Sequence, residues 1–148
     1  MIILHKTVGN FFDELLYDID CQKDTRAYII SIYEKYKTAD CDLSNYSVGE
    51  MFCQARQRQN FATYQDLADW LFVSQSIFPQ HLHHASKDYY DNIAQMSYYS
   101  CYNLINRQWK LYQELADSLI SLEEQVQVRL AKLNTQTLKD NYIVPFDL

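Results

Sequence analysis

Glycine and proline are nearly missing from this 148-residue chain, which has two of each: Gly9, Gly49, Pro79 and Pro145. A β-sandwich or barrel needs turn residues at every hairpin, so this scarcity excludes a fold built from many short strands and favours long helices. Positive charge is also short, with 13 Lys and Arg against 19 Asp and Glu and a formal net charge of −6. Such a chain repels a phosphate backbone, and no Lys/Arg cluster is dense enough to reverse that locally, so nucleic acid is not an expected partner. No apolar run approaches the roughly 20 residues of a membrane span, and the opening Met1 to Lys6 is too short for a signal-peptide core. A cytoplasmic location is expected. The four cysteines, Cys21, Cys41, Cys53 and Cys101, lack any C-x-x-C spacing, which removes the zinc ribbon and the thioredoxin-type dithiol. They read as buried free thiols.

What is present is apolar and aromatic mass: 48% hydrophobic residues, with 13 tyrosines. That is too rich for disorder, and the length suits one domain with its own core. We therefore expect a single all-α domain over residues 1–148, a compact bundle of about six helices. Between Thr7 and Asp20 the residues Phe11, Phe12, Leu15, Leu16 and Ile19 recur at helical spacing. A second helix, capped by Asp24 or Thr25, carries Tyr28, Ile29, Ile32, Tyr33 and Tyr36. Ser47-Val48-Gly49-Glu50 fits a capping box opening a third helix, with Val48, Met51, Phe52 and Ala55 inward. Thr63 and Asp66 repeat that logic for a fourth, whose face of Leu67, Trp70, Leu71, Ser74, Ile77 and Phe78 runs to Pro79.

Ser86 caps a fifth helix with Tyr89, Tyr90, Ile93, Met96, Ser97, Cys101 and Leu104 on one broad face. From Gln108 a sixth run places Leu115, Leu119, Leu122, Val126 and Leu133 at four- and three-residue steps, with Arg129 in the seam. No glycine or proline separates Ser86 from Leu133. One continuous helix would reach about 70 Å, against a domain diameter of roughly 40 Å for this length. A turn between Asn103 and Arg107 is therefore expected. The polar tail, residues 134–148, is expected to pack as a strap or remain mobile.

The residues offer few sites. His81, His83 and His84 with Asp88 and Asp91 nearby form the densest set of possible metal ligands, for zinc or iron, yet no Glu-x-x-His or His-Glu-x-x-His motif completes a site, and a solvated loop after Pro79 explains them equally well. The glutamates read as helix caps and solvated faces. Cys53 and Cys101 fall on apolar faces, where thiols pack as small hydrophobes. Arg56 and Arg58 suit the negative end of a helix dipole. Tyr89, Tyr90, Tyr98, Tyr99 and Tyr102 spread aromatic surface over more than one side of their helix, since adjacent pairs cannot both point inward.

Asp66-Leu67-Ala68-Asp69-Trp70-Leu71-Phe72-Val73-Ser74, with Ile77-Phe78-Pro79, Asp88-Tyr89-Tyr90 and Tyr98-Tyr99, resembles a family of uncharacterised bacterial all-helical proteins over roughly the middle third of the chain. The chain departs from that pattern at Gln75-Ser76 and Ala94-Gln95, where the family carries small residues. The resemblance implies a bacterial intracellular protein and names no activity.

The expected function is a non-catalytic helical interaction protein, a homo-oligomer or the partner of another helical protein. Its contact surface is expected in Tyr89, Tyr90, Tyr98, Tyr99 and Tyr102 together with Leu115, Leu119, Leu122 and Val126. The alternative is a small-molecule-binding or metal-dependent enzyme centred on the His81–His84 corner and the tyrosine-rich helix. No cofactor is implied.

Overall fold

The computed structural model describes residues 11–36, 47–77, 82 and 85–132. These form seven helices and no strand: α1 (residues 11–15), α2 (Lys23–Lys35), α3 (Val48–Arg58), α4 (Phe61–Ile77), α5 (Lys87–Leu104), α6 (Leu111–Asp117) and α7 (Leu119–Ala131). The all-α expectation holds. None of these helices is long and apolar enough to cross a membrane.

The architecture is organised around α4. Every residue from Leu67 to Ile77 is buried, so the helix has no solvent face in that stretch. The sequence pattern predicted one inward stripe, whereas α2, α3, α5 and α7 pack round α4 from all sides. A helix covered all round must be apolar or internally satisfied on every face, and this one carries Asp69, Ser74, Gln75 and Ser76 into the interior.

The helix boundaries follow local chemistry. Ser47 and Ser86 cap α3 and α5 as expected, accepting hydrogen bonds from the amides of Glu50 at 3.3 Å and Tyr89 at 3.2 Å. Replacing Ser47 by alanine strands one of these amides, and should cost about 1 kcal/mol in urea denaturation. The α4 cap is different from the expected one. Gln59 turns left-handed (φ 50°) to end α3, and Asn60 caps α4 at once, accepting from the Thr63 amide at 3.2 Å. Thr63 therefore sits inside the first turn. The α2 cap differs too: neither Asp24 nor Thr25 holds it, and the Gln22 amide is satisfied by the Glu114 carboxylate of α6.

The expected break after α5 is present. Asn106 and Arg107 adopt φ near 57° and 59°, and the Arg107 amide closes the turn on the Tyr102 carbonyl at 2.9 Å. Asparagine tolerates the left-handed region better than most residues, which lets the chain reverse without glycine.

Two helices are shorter than their periodicity suggests. The first leaves the helical path after residue 15: the Ile19 amide bonds the Leu16 carbonyl, three residues back, and Asp20 and Gln22 then donate their amides to Gln125 and Glu114. The last run bends at Ser118 and so counts as two, which raises six helices to seven. The Ser118 amide still reaches Glu114 and its carbonyl still accepts from Leu122, so the axis kinks rather than stops. Serine competes for such backbone groups and is a weak helix-interior residue. The segments 78–81, 83–84 and 133–148 lie outside the described residues, and with them Pro79, the histidine corner and the polar tail.

Candidate functional site

The interior polar residues of α4 recruit partners from the surrounding helices and create two buried clusters. The first surrounds Asp69, which is 2% exposed. Tyr28 of α2 donates to both of its oxygens, at 2.8 and 2.9 Å, and Tyr98 of α5 donates to Oδ1 at 2.7 Å. Tyr112 of α6 packs edge-on against Tyr28, with its own hydroxyl accepting from Gln65 at 2.7 Å. Burial raises the Asp69 pKa to about 7, although the two phenols hydrogen-bonded to it pull the other way. Burial and the neighbouring carboxylate drive the Tyr28 and Tyr98 hydroxyls well above their ordinary range, so both remain donors. Cys101, also buried, is pushed up to about 12 by burial and by Asp69. Its thiol is a poor nucleophile.

The second cluster joins α4, α5 and α7. Asp91 accepts from Gln75 Nε2 at 3.0 Å and from Lys87 Nζ at 2.5 Å. Glu123, fully buried, sits beside this pair with Lys87 Nζ 3.6 Å from Oε1. Neither Glu123 oxygen has a hydrogen-bond donor at bonding distance. Burial, and then the adjacent Asp91, raise its pKa to about 9, with Lys87 opposing. Two carboxyl groups in contact can bond only through a shared proton, so the protonated Glu123 is the form that fits Asp91. For Lys87, burial works to lower the pKa but both carboxyls outweigh it and hold the amine charged. Gln127 Nε2 donates to the Gln75 carbonyl at 2.9 Å, and Tyr33 and Ser76 share a hydrogen bond at 2.5 Å, fixing α7 and α2 to α4.

Neither cluster was anticipated. Glu123 was expected on a solvated face, yet it lies one residue after Leu122, between Leu119 and Val126, and this placement within the apolar seam is the signal that would have found it. Asp69 carried a similar signal, standing in the stretch Leu67-Ala68-Asp69-Trp70-Leu71-Phe72-Val73, whose other members are all apolar.

The expected contact residues divide sharply. Tyr90, Tyr98, Leu115, Leu119, Leu122 and Val126 are buried in the chain's own core and are closed to a partner in this state. Their helices meet one another first: the turn at Asn106 folds α6 and α7 back so that the leucine seam is covered from within. Tyr102 is half-buried, whereas Tyr89 and Tyr99 are exposed. Met96, expected inward, is 48% exposed, and Cys53 is also exposed rather than packed. The buried face of α5 is instead Tyr90, Asp91, Ile93, Ala94, Ser97, Tyr98 and Cys101.

The outer face of α5 therefore presents Tyr89, Asn92, Met96, Tyr99 and Asn103. Beside it runs a groove of about 440 Å³ between α3 and α5, with Phe52, Arg56, Tyr64, Met96 and Leu104 among its walls. The Tyr89 hydroxyl reaches Gly49 so closely that an added Cβ there would lie 2.9 Å away. Of the expected metal ligands, Asp88 is exposed, Asp91 is buried in the second cluster, and His81, His83 and His84 fall outside the described residues. Among the described residues no group of three or more His, Cys, Asp or Glu side chains is placed to hold a metal ion. No known protein family, curated protein or solved structure matches the chain.

Proposed function

We propose that this protein is a helical interaction module that self-associates through the outer face of α5 and the adjoining α3–α5 groove. The observation that carries this reading is a charge-free stretch. No Asp, Glu, Lys or Arg occurs from Asn92 to Asn106, although Met96, Tyr99 and Asn103 of this stretch face water. Interfaces are depleted of charge at their centre and enriched in tyrosine and methionine. Charge also favours a second copy here. Two chains that each carry −6 repel one another over most orientations, but the α5 stretch from Asn92 to Asn103 brings no charge of its own to a contact between copies. The exposed rings of Tyr89 and Tyr99 lose little conformational entropy on docking, and the flexible Met96 adapts to the opposing surface. The free thiols of Cys21, Cys53 and Cys101 fit a reducing compartment, so a cytoplasmic setting belongs to the same reading, as does a bacterial source.

Light scattering coupled to size exclusion tests the association. At tens of micromolar the wild-type chain should elute with twice its 17.6 kDa mass, a range in which a modest dimer populates. Met96→Glu or Tyr99→Glu should return it to the single-chain mass, because either buries an unpaired carboxylate at the centre of the contact. A wild-type mass of 17.6 kDa across the whole range would sink the proposal.

A further inference from the structure

We propose that Asp91 and Glu123 form a binding site for a hard divalent cation, with the Gln75 amide as a third oxygen donor and Lys87 occupying the cation's place when none is bound. This site lies in the interior between α4, α5 and α7, apart from the outer face of α5, and stands independently of the self-association reading.

The donor arithmetic motivates it. Asp91 and Glu123 are 1% and 0% exposed and bring four carboxylate oxygens to one place from two helices. Gln75 Nε2 serves Asp91 Oδ1 and Lys87 serves Asp91 Oδ2, whereas both oxygens of Glu123 are left without a donor. One ammonium at 3.6 Å does not satisfy an ionised Glu123, so without a bound ion the group keeps the proton it shares with Asp91. A divalent ion between the two carboxylates would displace that proton to water, balance their charge and engage both.

The chemistry of the donors selects the kind of ion. Carboxylate and amide oxygens suit magnesium, calcium or manganese rather than the softer metals that prefer thiolate or imidazole. Magnesium in particular is commonly held by one or two carboxylates with water completing its shell. Rotating the Gln75 amide by half a turn exchanges its Nε2 for Oε1 and converts a donor into a ligand. Lys87 supplies the route of entry. Its side chain is 49% exposed and starts in the first turn of α5, so its ammonium can swing into water and leave the two carboxyl groups open from that side. The Gln127 hydrogen bond to the Gln75 carbonyl holds α7 against α4, which keeps the pocket's walls in register during the exchange.

The full chain, stripped with chelator and then dialysed free of it, is titrated with MnCl2, MgCl2 and CaCl2 by calorimetry and thermal denaturation. Wild-type protein should bind one ion per chain saturably and melt at a higher temperature when loaded. Lys87→Met should bind on the order of tenfold more tightly, since the internal competitor is gone. Glu123→Gln keeps the shape of the side chain and should lose the binding while retaining the wild-type far-ultraviolet circular dichroism. The site does not exist if the wild type shows no saturable binding of any of the three ions at millimolar concentration. Binding that persists unchanged in Glu123→Gln places the ion elsewhere and overturns the assignment equally. The wild-type and Glu123→Gln comparison decides the matter even if Lys87→Met does not fold.

Discussion

Asp69→Asn should remove the loss of urea resistance that the wild type shows between pH 5 and pH 7 on account of this residue, leaving only the fall that Glu123 contributes up to about pH 9. The unfolded carboxyl ionises near 3.8 and the folded one near 7. Below pH 4 both states hold the proton, so the buried neutral acid contributes its full share of stability. Between the two values only the folded state retains it, and stability falls as pH rises; above 7 the contribution is gone. At about 1.4 kcal/mol per unit, the loss is on the order of 4 kcal/mol. The groups that face Asp69 are the hydroxyls of Tyr28 and Tyr98, with Tyr112, Cys101, Lys35 and Asp66 further out. The phenols stay neutral throughout and do not create a competing transition. Removing one of them by Tyr98→Phe should carry the midpoint to higher pH, because a bond favouring the carboxylate is lost. Asp69→Ala should be the severe variant, costing about 2–4 kcal/mol even at pH 5, since two buried hydroxyls lose their acceptor. A wild-type stability that stays level from pH 5 to pH 9 would contradict this account.

Lys87→Met, measured in chelator, should destabilise the fold by about 2–4 kcal/mol, an unusual cost for a side chain half in water. Its origin lies in what the ammonium leaves behind. Asp91 and Glu123 remain buried, and only the Gln75 amide and the proton on Glu123 are available to them. Adding Glu123→Gln to that variant should recover about half of the loss, because the new amide donates to Asp91 without any charge of its own. Glu123→Gln alone should lie within about 1 kcal/mol of wild type, as expected when a neutral isostere replaces an acid held largely neutral. Denaturation of the four proteins of this cycle gives the coupling directly. Additive effects of the two substitutions would show that Lys87 and Glu123 act separately.

The features legible in the sequence were those governed by neighbours along the chain. Serine at positions 47 and 86 can cap only the helix that follows, and both do so. The reversal near Asn106 was forced by length, since a straight helix from Ser86 to Leu133 would outrun any domain this chain can build. Sequence periodicity also separated apolar seams from polar faces in α2 and α7 well enough to find most of the core.

Tertiary structure decided matters that depend on several helices at once. Whether α4 buries one face or all of them turns on how many neighbours surround it, and its own pattern cannot count them. The same holds for Asp69 and Glu123, each tolerable inside only because residues distant in sequence supply partners: Tyr28 and Tyr98 for one, Asp91 and Lys87 for the other. The leucine seam of α6 and α7 offered itself equally to a second chain or to this one, and the chain's own fold claimed it. Local sequence thus determined where helices start and reverse, because capping and backbone sterics act within a few residues. The assembled core determined which polar groups are buried and which aromatic face stays open, because desolvation and charge pairing depend on every element that closes round a side chain.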